Sequence, residues 1–279
     1  MNFPVRDYDL DATLSSGQAF RWRKIGSAWE GVVGDRWVRL RSQSGVITAE
    51  TAVPVKDWNW LVDYLQLSVD LDQILQTFPK DPAMQTSIKA CRGLRLLRQD
   101  PWECLASFIL SSTKQIVQIQ QIVGLLCERF GQPLPSKGDR AYSFPSFTSL
   151  TCISEADLRA CKMGFRAPNL LATAKMLASG EVDLEHLHTR DLDCARLELL
   201  KLPGVGRKIA DCVLLFAYGF QQAFPVDVWV LKALRMLYFP TRRPTPKKLR
   251  QFADTYFGPY SGYAQQYLFH YMRTKHRPA

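Results

Sequence analysis

The run Leu202-Pro203-Gly204-Val205-Gly206-Arg207-Lys208-Ile209-Ala210 constrains the fold of this chain more than any other stretch. A turn spelled Pro-Gly-Val-Gly ends one helix and begins another, leaving several backbone N–H groups unpaired at the start of the second. Such a start binds phosphate through those donors and the helix dipole, and the glycines allow close approach. Lys208 falls in the first turn of the second helix, where an unprotonated amine would be a nucleophile. Leu192, Leu197, Leu199, Leu200 and Leu202 mark the leading helix, so the hairpin is read as about residues 195–219. On the second helix Lys208 and Cys212 share a face.

A helix-length apolar segment leads to Phe224-Pro225-Val226-Asp227-Val228, with Trp229 to Leu234 continuing as a helix. Asp227 stands where an N-cap belongs, accepting from the N–H groups of the next turn. A carboxylate held ionised by such donors is also what a sugar cation of oxocarbenium character needs beside it. Lysine and carboxylate near a phosphate-binding turn point to cleavage of an N-glycosidic bond. That chemistry requires a base drawn out of the helical stack into a pocket.

The composition agrees with such a partner. The 279 residues carry 36 Lys and Arg against 26 Asp and Glu, a net charge of +10, which suits a ligand bearing phosphates. With 47% apolar residues the chain can bury one large core or two modest ones. No apolar run approaches the roughly 18–20 residues of a membrane span, and the start lacks a signal pattern, so no membrane partner is expected. The expected location is intracellular: cytoplasm or nucleoid in a prokaryote, nucleus in a eukaryote. Seven scattered cysteines without a Cys-x-x-Cys pair argue against a disulfide framework or a structural zinc, and no metal site is expected.

Phe20 to Ile25, Ala28 to Val33, Arg36 to Arg41 and Val46 to Thr48 alternate and are separated by Gly26, Gly34-Asp35 and Ser44-Gly45, as in antiparallel hairpins. From about Trp58 the apolar period becomes helical and stays so to the end. Ser107 to Phe130 reads as two helices around a polar turn, Ser111-Ser112-Thr113-Lys114-Gln115, that could face a ligand. Thr241 to Lys248 is basic and proline-rich and reads as a solvated linker before the last helices.

Together with Ser16-Gly17-Gln18-Ala19-Phe20-Arg21-Trp22, Leu94-Arg95-Leu96-Leu97-Arg98-Gln99-Asp100-Pro101 and Gly258-Pro259-Tyr260-Ser261-Gly262-Tyr263-Ala264-Gln265, the hairpin and its Pro-Val-Asp resemble the 8-oxoguanine DNA glycosylase/AP lyases of the eukaryotic type, within the helix-hairpin-helix superfamily. The resemblance spans nearly the whole chain. It implies an α+β fold: an N-terminal antiparallel β-sheet domain with flanking helices over 1–98, then a mainly α-helical glycosylase domain over 99–279. The implied partner is double-stranded DNA containing an oxidised purine, bound by a monomer in base excision repair. No cofactor is required. Some relatives of the hairpin class carry an iron–sulfur cluster on cysteines beyond the catalytic region, but none follows Cys212 here, so no cluster is expected. A structural monovalent cation on the hairpin carbonyls is.

By the same resemblance, Lys208 would attack C1′ and form a Schiff base leading to β-elimination, with Asp227 stabilising the sugar cation. Gly17 would accept the N7 hydrogen of 8-oxoguanine, Gln265 would read its Watson–Crick edge, and Phe269 and Cys212 would cover its two faces. Gly204, Val205 and Gly206 would contact DNA, as would Arg166, which matches a cytosine-reading arginine, and Phe165, which matches the wedge beside it. Thr113-Lys114-Gln115 and Gln118 depart from the family, which has an asparagine-rich turn and a second cytosine-reading arginine there. Selectivity for the opposite cytosine is therefore expected to be relaxed, by on the order of 1–3 kcal/mol. Trp229 stands where relatives often place a histidine near the lesion phosphate. A glycosylase for another lesion or mismatch, and a non-catalytic DNA-binding hairpin module, are the alternatives that the residues leave open.

Overall fold

The computed structural model describes residues 1–275; the final residues of the expected second domain, 276–279, lie outside the described residues. The first fifty residues form strands because β-branched and aromatic residues alternate between tight turns. Strand β1 (Asn2–Pro4) precedes a short helix, α1 (Leu10–Ser15), which Asp9 caps by accepting from the Ala12 N–H. Then come β2 (Arg23–Ile25), β3 (Ala28–Val33), β4 (Arg36–Gln43) and β5 (Val46–Thr51). They make a five-stranded antiparallel sheet in the order β1-β5-β4-β3-β2. The alternation in the sequence marks β2 to β5; β1, at three residues, is too short to show a period.

Helices follow: α2 (Asn59–Leu65), α3 (Leu71–Gln76), α4 (Pro82–Cys91), α5 (Pro101–Leu110) and α6 (Ile116–Phe130). Helix α5 begins earlier than the apolar period at Ser107 implies, because Asp100 caps it, accepting from the Glu103 N–H at 2.8 Å, and Pro101 opens its first turn. A minimal ribbon, β6 (Pro133–Leu134) and β7 (Ala141–Tyr142), leads to α7 (Phe147–Leu150), α8 (Glu155–Leu158) and α9 (Ala167–Ala178). The hairpin is α10 (Leu192–Leu200) and α11 (Arg207–Val213), and the chain closes with α12 (Val228–Tyr238), α13 (Pro246–Tyr256) and α14 (Ser261–Lys275).

Two main cores result. The smaller lies under the sheet and includes Trp22, Val38, Leu40, Ile47, Leu61, Leu65 and Leu97. The larger fills the helical part and also takes Leu71, Ile74, Phe78, Met84, Cys91, Leu94 and Leu96, so α3 and α4 pack with the helices beyond residue 98 rather than under the sheet. The three sequence blocks outside the hairpin region meet at this seam. The buried Gln18 carboxamide donates to the Arg95 carbonyl at 2.8 Å and accepts from the Leu97 N–H at 2.8 Å, while Gln99 donates back to the Gln18 carbonyl at 2.7 Å. From α14, the Tyr267 hydroxyl donates to the Leu94 carbonyl at 3.2 Å and Gln266 to the Ser16 carbonyl at 3.1 Å. Buried amides paired this thoroughly fix the segment around Gly17 against α14.

Candidate active site

The hairpin turn is built as its residues dictate. Gly204 takes φ +77°, and a Cβ there would stand 2.9 Å from the Asn169 side chain, so a larger residue would meet both strain and a clash. The Thr173 hydroxyl donates to the Pro203 carbonyl at 3.0 Å, and the buried Val205 donates its N–H to the Leu202 carbonyl at 3.1 Å. Gly206 is the N-cap of α11, whose first internal bond runs from the Ala210 N–H to the Gly206 carbonyl. The N–H groups of the first turn therefore have no intrahelical acceptor.

Lys208 sits in that first turn, partly buried. Its Nζ lies 3.5 Å from the Ser111 Oγ and 4.9 Å from the centre of the Phe108 ring. Ser111 gives its own hydroxyl proton to the Phe108 carbonyl at 2.7 Å, so its lone pairs face the amine as an acceptor. Ser111 ends α5 and opens the polar turn marked in the sequence. Asp227 caps α12, accepting from the Val230 N–H at 2.8 Å. Its carboxyl lies above the usual carboxylate range: burial pushes it up and outweighs the capping N–H groups and the nearby Lys208 ammonium. Capping alone predicts the opposite direction; the difference is the depth of the site.

Both residues line one small cavity of about 40 Å³, with Gly17, Phe108, Cys212, Phe216, Pro225, Gln265, Gln266 and Phe269. Cys212 lies one turn after Lys208 on α11, and burial pushes its thiol up to about 12 despite the lysine, so it is a neutral wall at pH 7. Gln265 is 4% exposed and its buried Oε1 has no hydrogen-bond partner. Gly17 has φ +78°, and a Cβ there would lie 2.6 Å from Ile116 Cδ1; among the described residues its carbonyl accepts no hydrogen bond. Phe269 is partly buried and carries the Arg273 guanidinium 5.8 Å from its ring centre. The cavity is close to the ~30 Å³ of one water molecule, so a purine enters only if a wall moves. Two wider concavities, about 590 and 500 Å³, lie against the sheet and hold neither Lys208 nor Asp227.

The sequence pattern thus brings Gly17, Lys208, Cys212, Asp227, Gln265 and Phe269 to one cavity. Phe108, Phe216, Pro225 and Gln266 join them unannounced. Phe108 and Phe216 stack with ring centres 5.7 Å apart, yet in sequence they are ordinary apolar positions of helices.

The other expected DNA contacts lie elsewhere. Phe165 is 60% exposed, following Gly164 at φ +60°. Arg166 is 3% exposed and turned inward, bonded to the carbonyl of Ser112, to Thr113 Oγ1 at 2.7 Å and to the Met163 carbonyl at 3.1 Å. Thr113 is exposed with φ +56°, unusual for a β-branched residue. Gln118 is exposed, and its side chain accepts from the Gln115 N–H at 3.1 Å in a capping box that starts α6. Trp229 carries Lys232 5.5 Å from its ring centre. Among the described residues no group of three or more His, Cys, Asp and Glu could hold a metal ion, and no helix is long and apolar enough to cross a membrane.

A two-helix hairpin followed by an aspartate that shares a pocket with its second helix places the chain in the helix-hairpin-helix class of base-excision repair proteins, and Lys208 in that pocket sets it with the members that carry a lysine. Residues 106–259 match the family described as HhH-GPD superfamily base excision DNA repair protein, and residues 1–105 match 8-oxoguanine DNA glycosylase, N-terminal domain. A probable N-glycosylase/DNA lyase of Methanothermobacter thermautotrophicus is 33% identical over 98% of this chain and 96% of its own length. The N-glycosylase/DNA lyase OGG1 of Arabidopsis thaliana is 31% identical over 96% of this chain and 79% of its own. Among solved structures, the Clostridium acetobutylicum 8-oxoguanine glycosylase/lyase, in complex with double-stranded DNA containing cytosine opposite 8-oxoG, superposes with a TM-score of 0.92 at 32% identity, covering 99% of this chain and 98% of that one. The chain belongs to the 8-oxoguanine DNA glycosylase family.

Proposed function

We propose that the protein is a bifunctional N-glycosylase/DNA lyase that removes 8-oxoguanine from duplex DNA in base excision repair. The observation that carries this reading is one cavity holding the Lys208 amine, the Asp227 carboxyl and the unpaired, buried Gln265 Oε1. The relatives' activities and the DNA in the Clostridium complex support it.

The damaged base is extruded into the pocket, with Phe269 swinging to admit it, and Phe269 and Cys212 take its two faces. The Gly17 carbonyl accepts the N7 hydrogen that distinguishes 8-oxoguanine from guanine, and Gln265 accepts from its Watson–Crick edge. An unfilled acceptor in a buried site selects a ligand carrying the matching donor, because burying either one unpaired costs about 1–3 kcal/mol. As the N9–C1′ bond breaks, the base leaves with the bonding electrons and takes up a proton; ionised Asp227 stabilises the positive sugar. The Lys208 ammonium gives up the proton that the departing base takes, and the freed amine bonds C1′ and passes a second proton to O4′ as the C1′–O4′ bond breaks, giving the Schiff base. Loss of a C2′ proton then expels the 3′ phosphate by β-elimination, and water releases the lysine.

Opposite-base selectivity is relaxed in this reading. Gln118 cannot supply an arginine's bidentate contact, and Arg166 directs its two terminal nitrogens to Met163, Ser112 and Thr113 while its buried Nε has no partner. No metal or other cofactor is needed for these steps, and a monomer suffices. The test is borohydride trapping on 8-oxoguanine duplexes with wild type and Lys208→Gln. The reading expects a covalent complex with wild type and none with the variant, which still binds the duplex. A Lys208→Gln protein that still nicks abasic DNA by β-elimination would move the nucleophile elsewhere.

A further inference from the structure

From residue 228 to 253 the chain carries seven Lys and Arg and no Asp or Glu, most of the molecule's net +10. Lys232 and Arg235 are exposed on α12, Arg242 and Arg243 in the loop, and Lys247 and Lys248 on α13, where Arg250 is partly exposed. Among the described residues none of the seven forms an ion pair; Lys232 has only the Trp229 ring. A solvated linker explains the loop but not the helix that follows.

On α13 the charges run against the helix. Lys247 and Lys248 lie in its first turn, beside the positive end of the dipole, while its last turn has no basic residue and holds Asp254. Each such placement is unfavourable, and no ion pair among the described residues offsets it for Lys247 or Lys248. The inner face, Leu249, Ala253 and Phe257, is fully buried, and Phe252 stacks on Tyr256 at 4.6 Å, so the helix is held firmly. Lys247, Arg250 and Asp254 recur at three and four on the outer face. Asp254 meets Arg207 at 3.5 Å, and Arg207 is the first residue of α11, just after the hairpin turn.

We infer that Lys247 and Arg250 form a second phosphate-binding stripe, along which the DNA duplex flanking the lesion continues after it leaves the hairpin. The inference rests on the glycosylase reading only for the identity of the ligand as duplex DNA. Three helical steps separate Lys247 from Arg250, about 4.5 Å along the axis, within the rise of one to two nucleotides of one DNA strand, and Asp254 four steps further on ends the stripe at Arg207. The stripe carries no base recognition. It adds affinity that depends on salt and flank length and holds the duplex while the base is drawn out.

The test is fluorescence anisotropy with the full chain on 8-oxoguanine duplexes whose two flanks are lengthened separately, over a range of salt, with excision by wild type scored on the same duplexes. The Lys247→Gln/Arg250→Gln variant should reduce the slope of log K against log salt by about two on the long duplex, from roughly 0.9 per phosphate contact. It should match wild type once one flank is cut back. Lys247→Arg/Arg250→Lys should keep the wild-type slope. An unchanged slope with lesion excision intact would overturn the stripe alone. A reduced slope without excision by wild type would leave the stripe standing and overturn the glycosylase reading.

Discussion

The base pocket and the region expected to face the opposite strand differ in what positions them. The pocket residues expected to meet the base are set by packed elements: Lys208 and Cys212 by α11, Asp227 by the cap of α12, Gln265 and Phe269 by one face of α14, and the Gly17 backbone by the paired amides around it. The opposite-strand region hangs on the turn between α5 and α6, which Arg166 braces from inside while Gln118 starts a helix. The pocket is built to receive a ligand, whereas the turn's polar groups are largely spent on the protein itself. This asymmetry predicts an enzyme selective for the damaged base and tolerant of its partner.

The largest effect separating the two regions should come from Asp227→Asn, which keeps the cap and removes the charge. Single-turnover excision should fall by about 100- to 1000-fold, the usual loss for one electrostatic group at a developing charge. Because burial raises the Asp227 pKa, wild-type excision should lose activity as pH falls through that raised value, and the variant should lose this acid limb. The stability change has the opposite sign. A carboxyl with a raised folded pKa favours the fold below the usual carboxylate range and loses that contribution as pH rises, so Asp227→Asn should melt higher than wild type at pH 8. A variant that melts lower there and retains the acid limb would contradict the burial argument.

Gln118→Arg probes the opposite side. It should restore preference for cytosine over adenine by about 10- to 100-fold, read as the ratio of excision rates, at the expense of the α6 capping box. Arg166→Ala should then act mainly on stability. It leaves the Ser112 and Met163 carbonyls and Thr113 Oγ1 without their donor, which costs about 1–3 kcal/mol and lowers Tm by several degrees. A large change in opposite-base ranking with Tm unchanged would show that Arg166 reaches the DNA instead. The smallest effect is expected from Ser111→Ala, which removes the acceptor beside the Lys208 amine. Schiff-base formation should slow by up to about tenfold with the duplex Kd unchanged, and Ser111→Thr should recover it.

Lys208 and Asp227 are legible from local rules of helix start and capping, whereas Gly17, Cys212, Gln265 and Phe269 are picked out as pocket residues only by the family resemblance, to which helix spacing adds a shared face. Lys208 with Cys212, and Gln265 with Phe269, share helix faces at four-residue spacing, and Asp227 precedes a plain helix start. What escaped depends on contacts between distant segments. Ser111 meets Lys208 only through the packing of α5 on α11, and Phe108 and Phe216 look like core because they also are core. Arg166, matched to a cytosine-reading arginine by the resemblance, bonds a carbonyl 54 residues away, a contact that no local rule reveals. The basic run from Thr241 to Lys248 has the composition of a solvated linker, but Pro246, Lys247 and Lys248 already form the first turn of α13.

In the proposed reaction Lys208 is the group that bonds the sugar. The most direct measurement is peptide mass spectrometry of the borohydride-trapped complex formed on an 8-oxoguanine duplex. The adduct is expected on the peptide containing Lys208; an adduct on another lysine, Lys114 of the neighbouring turn included, would contradict Lys208 as the nucleophile.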